Sequence, residues 1–370
     1  MCWTKAYGGI IPGTGDPETE TPADVEARNP LGCDIVNLDM LAEHTLVPAP
    51  QITKPGEQLN WREPSESCQP PAIFLFKTGR LVRTIDNDGP TPLVVYTLDG
   101  GEVPDEEIID VPGYKGSTPV RVGNRAKAQV QLSCYGDLLE TAALFADMGH
   151  VLDPQASRLL ETLADQVVDR WRQKDAGIWE LEDQQHYTFS KIGCWLALDR
   201  AAKLARAGHI EGDADRWETE STRVKEWIDA NCWSEARQAY SFYAGSDKLD
   251  AALLLTTRFG FEHGERLRMT RDAVERELAV GPLVYRYSGA SEEEGAFVAC
   301  SCWLVESYAF LGEVGQAEEM LSELIEKLGN NFGILNEQID PATGEGLGNL
   351  PQGLSHLALL HAIFSIQENR

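Results

Sequence analysis

The C-terminal two-thirds of this chain predicts an all-α fold, on three observations. Stretches with apolar residues at helical spacing follow one another from Asn124 onward. Short Gly, Pro or Asp punctuation separates them. No convincing strand ladder interrupts them. In order, the helical spans are Asn124–Met148, Pro154–Gln173, Phe189–Ala207, Ala214–Asn231, Leu249–Thr257, Met269–Leu278, Gly295–Leu311, Val314–Leu328 and Gln352–Ser365. Asp153-Pro154 reads as an N-cap followed by a first-turn proline. The aspartate oxygen accepts amide protons that the first turn leaves unpaired, and proline has no such proton to lose. Gly208 and Asp213 punctuate in the same manner. About nine helices with short connections suggest packed antiparallel hairpins, with no strict repeat of the solenoid kind.

The first part reads differently, and the chain divides into residues 1–110 and 111–370. In residues 1–110, Pro and Gly recur at 13–17, 48–50 and 70–71, and they break helices and mark turns. Ile35–Glu43 is the best helical candidate there. Ile73–Val82 and Leu93–Leu98 suit short strands or fragments of helix.

Bulk properties narrow the function classes. The chain has 370 residues, 42 % of them apolar, and a formal net charge of −27. So acidic a surface argues against nucleic acid and anionic lipid as partners, because polyphosphate binding rests on Lys and Arg. A small neutral carbohydrate suits it. No apolar run approaches the ~18 residues that span a bilayer. The N-terminal Met1–Tyr7 stretch lacks the apolar core of a signal peptide. Cys134, Cys194, Cys300 and Cys302 fall in apolar helical stretches, where free cysteine behaves as a small buried hydrophobe. No Cys-x-x-Cys pair has zinc spacing. The expectation is a cytoplasmic protein with reduced thiols, no structural metal and no cofactor.

Three longer connections, at 175–188, 282–294 and 330–351, carry Trp, Tyr, Arg, Glu, Asn and Gly. Loops on a rigid scaffold are where function concentrates, and in a ring of hairpins such loops meet at one end. Glu180 follows Gly177-Ile178-Trp179, an apolar setting that suits a raised pKa. The alternative is a solvated loop glutamate. Glu337 lies in Asn336-Glu337-Gln338, ahead of Gly344, Gly346 and Gly348, and a turn acid is the alternative there. Arg286, between Tyr285 and Tyr287, suits a donor to sugar hydroxyls or the partner of a carboxylate, or else a surface arginine stacked on tyrosine. Glu292-Glu293-Glu294 reads as a solvated acidic helix cap. Trp195 and Trp303 suit a pocket floor or, better, the core, and His356 a satisfied core histidine. No nucleophile elbow or phosphate loop is present.

Taken together, these motifs resemble glycoside hydrolase family 15, the family of glucoamylases, glucodextranases, isomaltose-cleaving enzymes and bacterial and archaeal trehalases. Gly113–Ser117, Pro119–Asn124, Gly177–Glu180, Tyr187–Lys191, Cys194–Arg200, Leu249–Ala251, Leu283–Tyr287, Glu294–Phe297, Cys302–Val305, Asn336–Gln338 and Leu347–Gln352 occur in the family's order, over about residues 93–370. The resemblance implies an (α/α)6 toroid and hydrolysis with inversion, releasing β-glucose from non-reducing ends of α-glucans, isomalto-oligosaccharides or trehalose. It assigns the general acid to Glu180 and the general base to Glu337. It assigns glucose binding to Arg286, a pocket wall to Trp179 and a place near the pocket to Lys191; Lys191, Tyr285 and Trp303 are further candidate substrate-binding residues. The family's usual Arg-Asp pair, which grips the terminal glucose, has its nearest match at Arg62 and Glu63, in a shortened segment. The toroid is therefore expected to be incomplete at its N-terminal helices. Its twelve helices are not all found, and an open ring exposes apolar faces that a second copy or another partner would cover.

Overall fold

A computed structural model of the protein describes residues 103–113, 116, 118–262, 264–329 and 333–370, with short stretches at 82–84, 90–92, 94–95 and 97. Arg62, Glu63, the Ile35–Glu43 candidate and the cysteines before residue 82 lie outside the described residues.

Two small hairpins lead in. β1 (Val82–Thr84) pairs antiparallel with β2 (Pro90–Pro92), and β3 (Glu107–Ile109) with β4 (Val120–Val122). Nine α-helices follow among the described residues: α1 (Ser133–Asp147), α2 (Pro154–Arg170), α3 (Thr188–Arg206), α4 (Ala214–Asn231), α5 (Thr256–Phe259), α6 (Glu265–Leu278), α7 (Val298–Phe310), α8 (Val314–Leu328) and α9 (Gly353–Glu368). The Leu249–Thr257 span becomes a 3-10 helix, Ala251–Leu255, running into α5. Asp153 caps α2 as expected, its Oδ1 accepting from the amides of Gln155 and Ala156 at 2.9 and 3.0 Å.

Helix composition sorts the helices into two layers. α1, α3, the 3-10/α5 segment, α7 and α9 pack side by side as an inner row. α7 is apolar on nearly every side and buried along its length, the pattern of a helix enclosed by others. The more polar α2, α4, α6 and α8 back this row from outside. α1 and α3 approach closely through glycine. A Cβ on Gly136 would lie 2.6 Å from the Gly193 carbonyl oxygen, and one on Gly193 would lie 2.6 Å from Ser133 Cα. The main hydrophobic core runs continuously from α1 to α9.

Among the described residues, both ends of the row expose apolar side chains. On α1, Leu144 is 56 % exposed and Met148 65 %; on α9, Leu357 is 45 % and Leu360 43 %. Among the described residues no helix is long and apolar enough to cross a membrane.

The expectation of no strand in this half needs correction. β5 (Trp233–Ser234) pairs with β6 (Ala239–Tyr240), and β7 (Ala279–Val280) with β8 (Leu283–Val284). β9 (Ala296–Phe297), β10 (Gln338–Ile339) and β11 (Gly346–Leu347) form a three-stranded sheet with β10 in the middle. Two-residue strands have no readable alternation, and their partners are set by how the helices pack.

Candidate active site

The first loop, between α2 and α3, carries Glu180. Its base is fixed by two buried groups of α3. Ser190 Oγ donates to Asp175 Oδ2 at 2.7 Å, and the Leu132 amide donates to the same oxygen at 2.9 Å. Burial raises the Asp175 pKa, against the opposing pull of those hydrogen bonds. Lys191 is fully buried, and its ammonium donates to the carbonyls of Trp171 (2.6 Å) and Gln173. Burial lowers its pKa. The expectation that Lys191 contacts sugar is therefore corrected. Its ammonium is enclosed and bonded to the backbone at the base of the loop, a role hidden in sequence because a lysine on a helix reads as polar surface.

At the tip, Gly177 takes φ +67°, and a Cβ there would meet the Tyr187 ring at 2.8 Å. Glu180 itself takes φ +58°. A left-handed conformation strains any residue with a Cβ, and such strain persists where the surroundings impose it, often at functional sites. Gln129 Nε2 donates to the Glu180 carbonyl at 3.1 Å, and the Leu181 amide donates to the Ala176 carbonyl at 3.0 Å. The turn is thus held from both sides.

The second loop, between α8 and α9, carries Glu337 and is anchored on the start of α9. The Leu335 amide donates to His356 Nε2 at 3.2 Å, and His356 Nδ1 lies 2.7 Å from the Gln352 carbonyl oxygen. His356 is the satisfied histidine expected from sequence. Ser355 Oγ donates to the Asn336 carbonyl at 2.8 Å. Glu337 Oε2 accepts from both the amide and the Nδ2 of Asn349, at 3.0 and 2.7 Å. The glycines have a definite use here. Gly348 takes φ +69°, and a Cβ on it would lie 2.9 Å from Glu337 Oε2. The Glu337 carbonyl accepts from the Val298 amide at 3.1 Å, tying this loop to the start of α7.

The third loop joins the other two. Arg286 forms a two-point ion pair with Glu294, its Nε donating to Oε1 at 2.5 Å and its Nη2 to Oε2. Gln338, next to Glu337, donates to Glu294 Oε2 at 2.9 Å. On the other side the guanidinium lies 5.3 Å from the Trp179 ring centre, with Tyr287 and Phe297 at 5.5 and 5.7 Å. The reading of Glu294 as a solvated cap is overturned, since both its oxygens are engaged by Arg286. Trp303 is buried with its ring 6.1 Å from Trp179, so it backs the Trp179 indole from the core. Trp195 is likewise core, edge-on to Phe261 at 5.1 Å. Tyr285 is half-buried beside the β7–β8 hairpin, its amide donating to the Leu278 carbonyl at 2.9 Å.

One residue of the site carried no role in the sequence reading. Asp250 is 1 % exposed, and its Oδ1 accepts from Trp179 Nε1 at 2.8 Å and from the Ala252 amide at 2.9 Å. Burial pushes its carboxyl up to about 7, against those two hydrogen bonds and the charge of Arg286. The Leu249-Asp250-Ala251 motif was the available signal. No cluster of His, Cys, Asp and Glu suited to a metal occurs among the described residues.

The family model for glycosyl hydrolases family 15 matches residues 94–364. The chain belongs to that family. A second model, described as an uncharacterized protein conserved in bacteria, matches residues 1–77, a stretch that the glycosyl hydrolase model does not reach. Among curated relatives, the trehalase of Mycolicibacterium smegmatis is 35 % identical over 286 residues, covering 74 % of this chain and 42 % of its own length. The trehalase of Thermoplasma volcanium is 30 % identical over 281 residues, covering 74 % and 45 %. The chain thus spans less than half the length of these relatives. In fold it is similar to a bacterial glucoamylase solved with acarbose (TM-score 0.61, 16 % identity, 81 % of this chain and 45 % of that one). It is similar also to the glucoamylase of Saccharomycopsis fibuligera (TM-score 0.55, 13 % identity, 74 % and 73 %). The helical rows described above are those of this family's (α/α)6 toroid.

Proposed function

We propose that this family 15 member is an inverting, exo-acting α-glucoside hydrolase, with trehalose among its substrates. In this reading Glu180 protonates the glycosidic oxygen as the bond to the anomeric carbon breaks. Glu337 takes a proton from the water that attacks that carbon from the opposite face, so β-glucose leaves. Arg286 donates to hydroxyls of the glucose, beside the Trp179 ring.

One observation carries the reading. The neighbour of each carboxylate meets the same ion pair: Trp179, beside Glu180, lies under the Arg286 guanidinium, and Gln338, beside Glu337, holds that cation's counter-ion Glu294. Two loops more than a hundred residues apart thus converge on one ion-paired arginine lined by aromatic rings, an arrangement that suits a sugar site. Asn349 engages Glu337 Oε2, so Oε1 is the oxygen that would receive the water proton. The family's substrate range, the trehalase relatives and the acidic surface support trehalose, maltose and isomaltose as first substrates. Among the described residues the buried thiols of Cys194, Cys232, Cys300 and Cys302 suit a cytoplasmic setting. The test is glucose release from those sugars, with the anomer followed by proton NMR. Glu180→Gln and Glu337→Gln should each abolish release. Unchanged turnover in either, or α-glucose as first product, would overturn the assignment.

A second reading follows from the ends of the helix row, where Leu144, Met148, Leu357 and Leu360 are exposed among the described residues. Here the chain is a catalytically impaired family member that binds sugar weakly and packs against a partner or a second copy. A panel of α-glucosides yielding no glucose, with acarbose binding still visible by calorimetry, favours it; clean turnover by the isolated chain removes it.

A further inference from the structure

We propose that Asp250 is the positioning residue of this site, its one carboxylate oxygen holding the Trp179 indole in place beside Glu180. The inference rests on the glycosidase reading for its catalytic consequence but not for its geometry.

Asp250 sits where three parts of the site meet. Its Oδ1 takes the Trp179 indole proton at 2.8 Å and also caps the 3-10 helix by accepting the Ala252 amide at 2.9 Å. Its backbone forms an antiparallel bridge to Tyr287, and the next amide, of Ala251, donates to the Arg286 carbonyl at 2.8 Å. One buried side chain therefore fixes the direction of Trp179 while its backbone neighbour fixes Arg286, whose guanidinium lies over that same indole. Oδ2 is buried and has no hydrogen-bond partner among the described residues. A buried carboxylate oxygen without a partner is costly, so its retention here calls for a reason beyond packing. A hydrophobic residue would fill the space but leave the buried indole N–H unpaired and the ring free to turn. Trp179 directly precedes Glu180 in a strained turn, so an indole that leaves its place and takes the backbone with it displaces the carboxyl of Glu180. A displacement on the order of 1 Å at a reacting group lowers turnover about a hundredfold.

The charged and titratable groups around Asp250 come from three elements: Arg286, its partner Glu294 and Tyr287 on one loop, Tyr187 at the start of α3, and Cys300 in α7. The tyrosines and the cysteine are pushed up by burial, so Asp250 is the member of this set that changes charge near neutral pH.

The test uses the full chain labelled with 15N-indole tryptophan, the Trp179 Nε1–H signal being identified by its loss in Trp179→Phe. In the wild type that signal is expected downfield and to move with pH, with its midpoint near 7. In Asp250→Asn, which keeps an acceptor oxygen but has no charge to titrate, the signal should stay downfield and cease to move. Kinetically, Asp250→Ala should lower kcat about a hundredfold, with Asp250→Asn within about tenfold of wild type and lacking the pH limb near 7. An indole signal indifferent to both pH and Asp250→Asn, or an Asp250→Ala variant with wild-type kcat, would overturn the proposal. If the wild type releases no glucose but its indole signal titrates and Asp250→Asn abolishes the titration, the positioning stands and the glycosidase reading fails.

Discussion

Breaking the Arg286–Glu294 pair tests whether the convergence of the three loops is energetic or incidental. The two side chains are 23 % and 13 % exposed, so neither recovers full hydration when its partner is removed. Losing one member of such a buried pair costs about 3–5 kcal/mol, most of it the penalty of the charge left behind. The two single variants should differ. Glu294→Gln strands a guanidinium that keeps three aromatic rings within 5.7 Å, each worth about 0.5–2 kcal/mol, and a neutral oxygen to bond. We expect it near about 2–3 kcal/mol. Arg286→Met strands a carboxylate whose remaining donor is Gln338 Nε2 at 2.9 Å, and belongs at the upper end, about 4–5 kcal/mol. The double variant removes both charges, so its loss should fall short of the sum by about 2 kcal/mol or more. Urea unfolding of the four proteins at pH 7, followed by circular dichroism, measures the cycle. Additivity within about 0.5 kcal/mol would show that the two groups do not stabilise one another, and would remove the observation on which the functional reading rests.

Three further outcomes follow from the same geometry. Gly348→Ala places a Cβ 2.9 Å from Glu337 Oε2 in a left-handed turn, and should lower both the melting temperature and, by about a hundredfold, kcat; a kcat within threefold of wild type would contradict the fit drawn around Glu337. Glu180→Gly relieves a strained φ of +58°, worth about 1–2 kcal/mol, against a glycine entropy penalty of about 0.4–1 kcal/mol, so stability in urea should hold or rise slightly while glucose release disappears. For Asp250, the folded-state pKa of about 7 lies above the unfolded value of about 3.9. Its contribution to stability is full below the unfolded value and lost as pH rises through about 7, a change on the order of 4 kcal/mol that Asp250→Asn should flatten in unfolding midpoints taken from pH 4 to 8.

Much of the fold was legible because helix formation is a local matter. Apolar residues at helical spacing, the Asp153-Pro154 start and the glycine stops each act within a few residues, and the structure places nine helices close to the spans they mark. The two-residue strands β9, β10 and β11 were not legible, because their pairing joins segments about forty residues apart and carries no periodicity of its own. The candidate site divides along the same line. Glu180 and Glu337 were singled out by ordered motifs, whereas each taken alone had a bland alternative. Lys191, a cation on a helix, gave no sign in sequence that α3 buries it against the carbonyls of Trp171 and Gln173. Glu294, the last of three consecutive glutamates, gave no sign that it alone turns inward to Arg286. Asp250 sits seventy-one residues from the indole it holds. Sequence by itself determined which segments are helical, which loops hold the candidate site residues and which family the motifs resemble, because those signals are local or ordered along the chain. Which carboxylates are buried, and which cation they face, was decided by tertiary packing, because desolvation and charge pairing depend on neighbours that the helices bring together from distant parts of the chain.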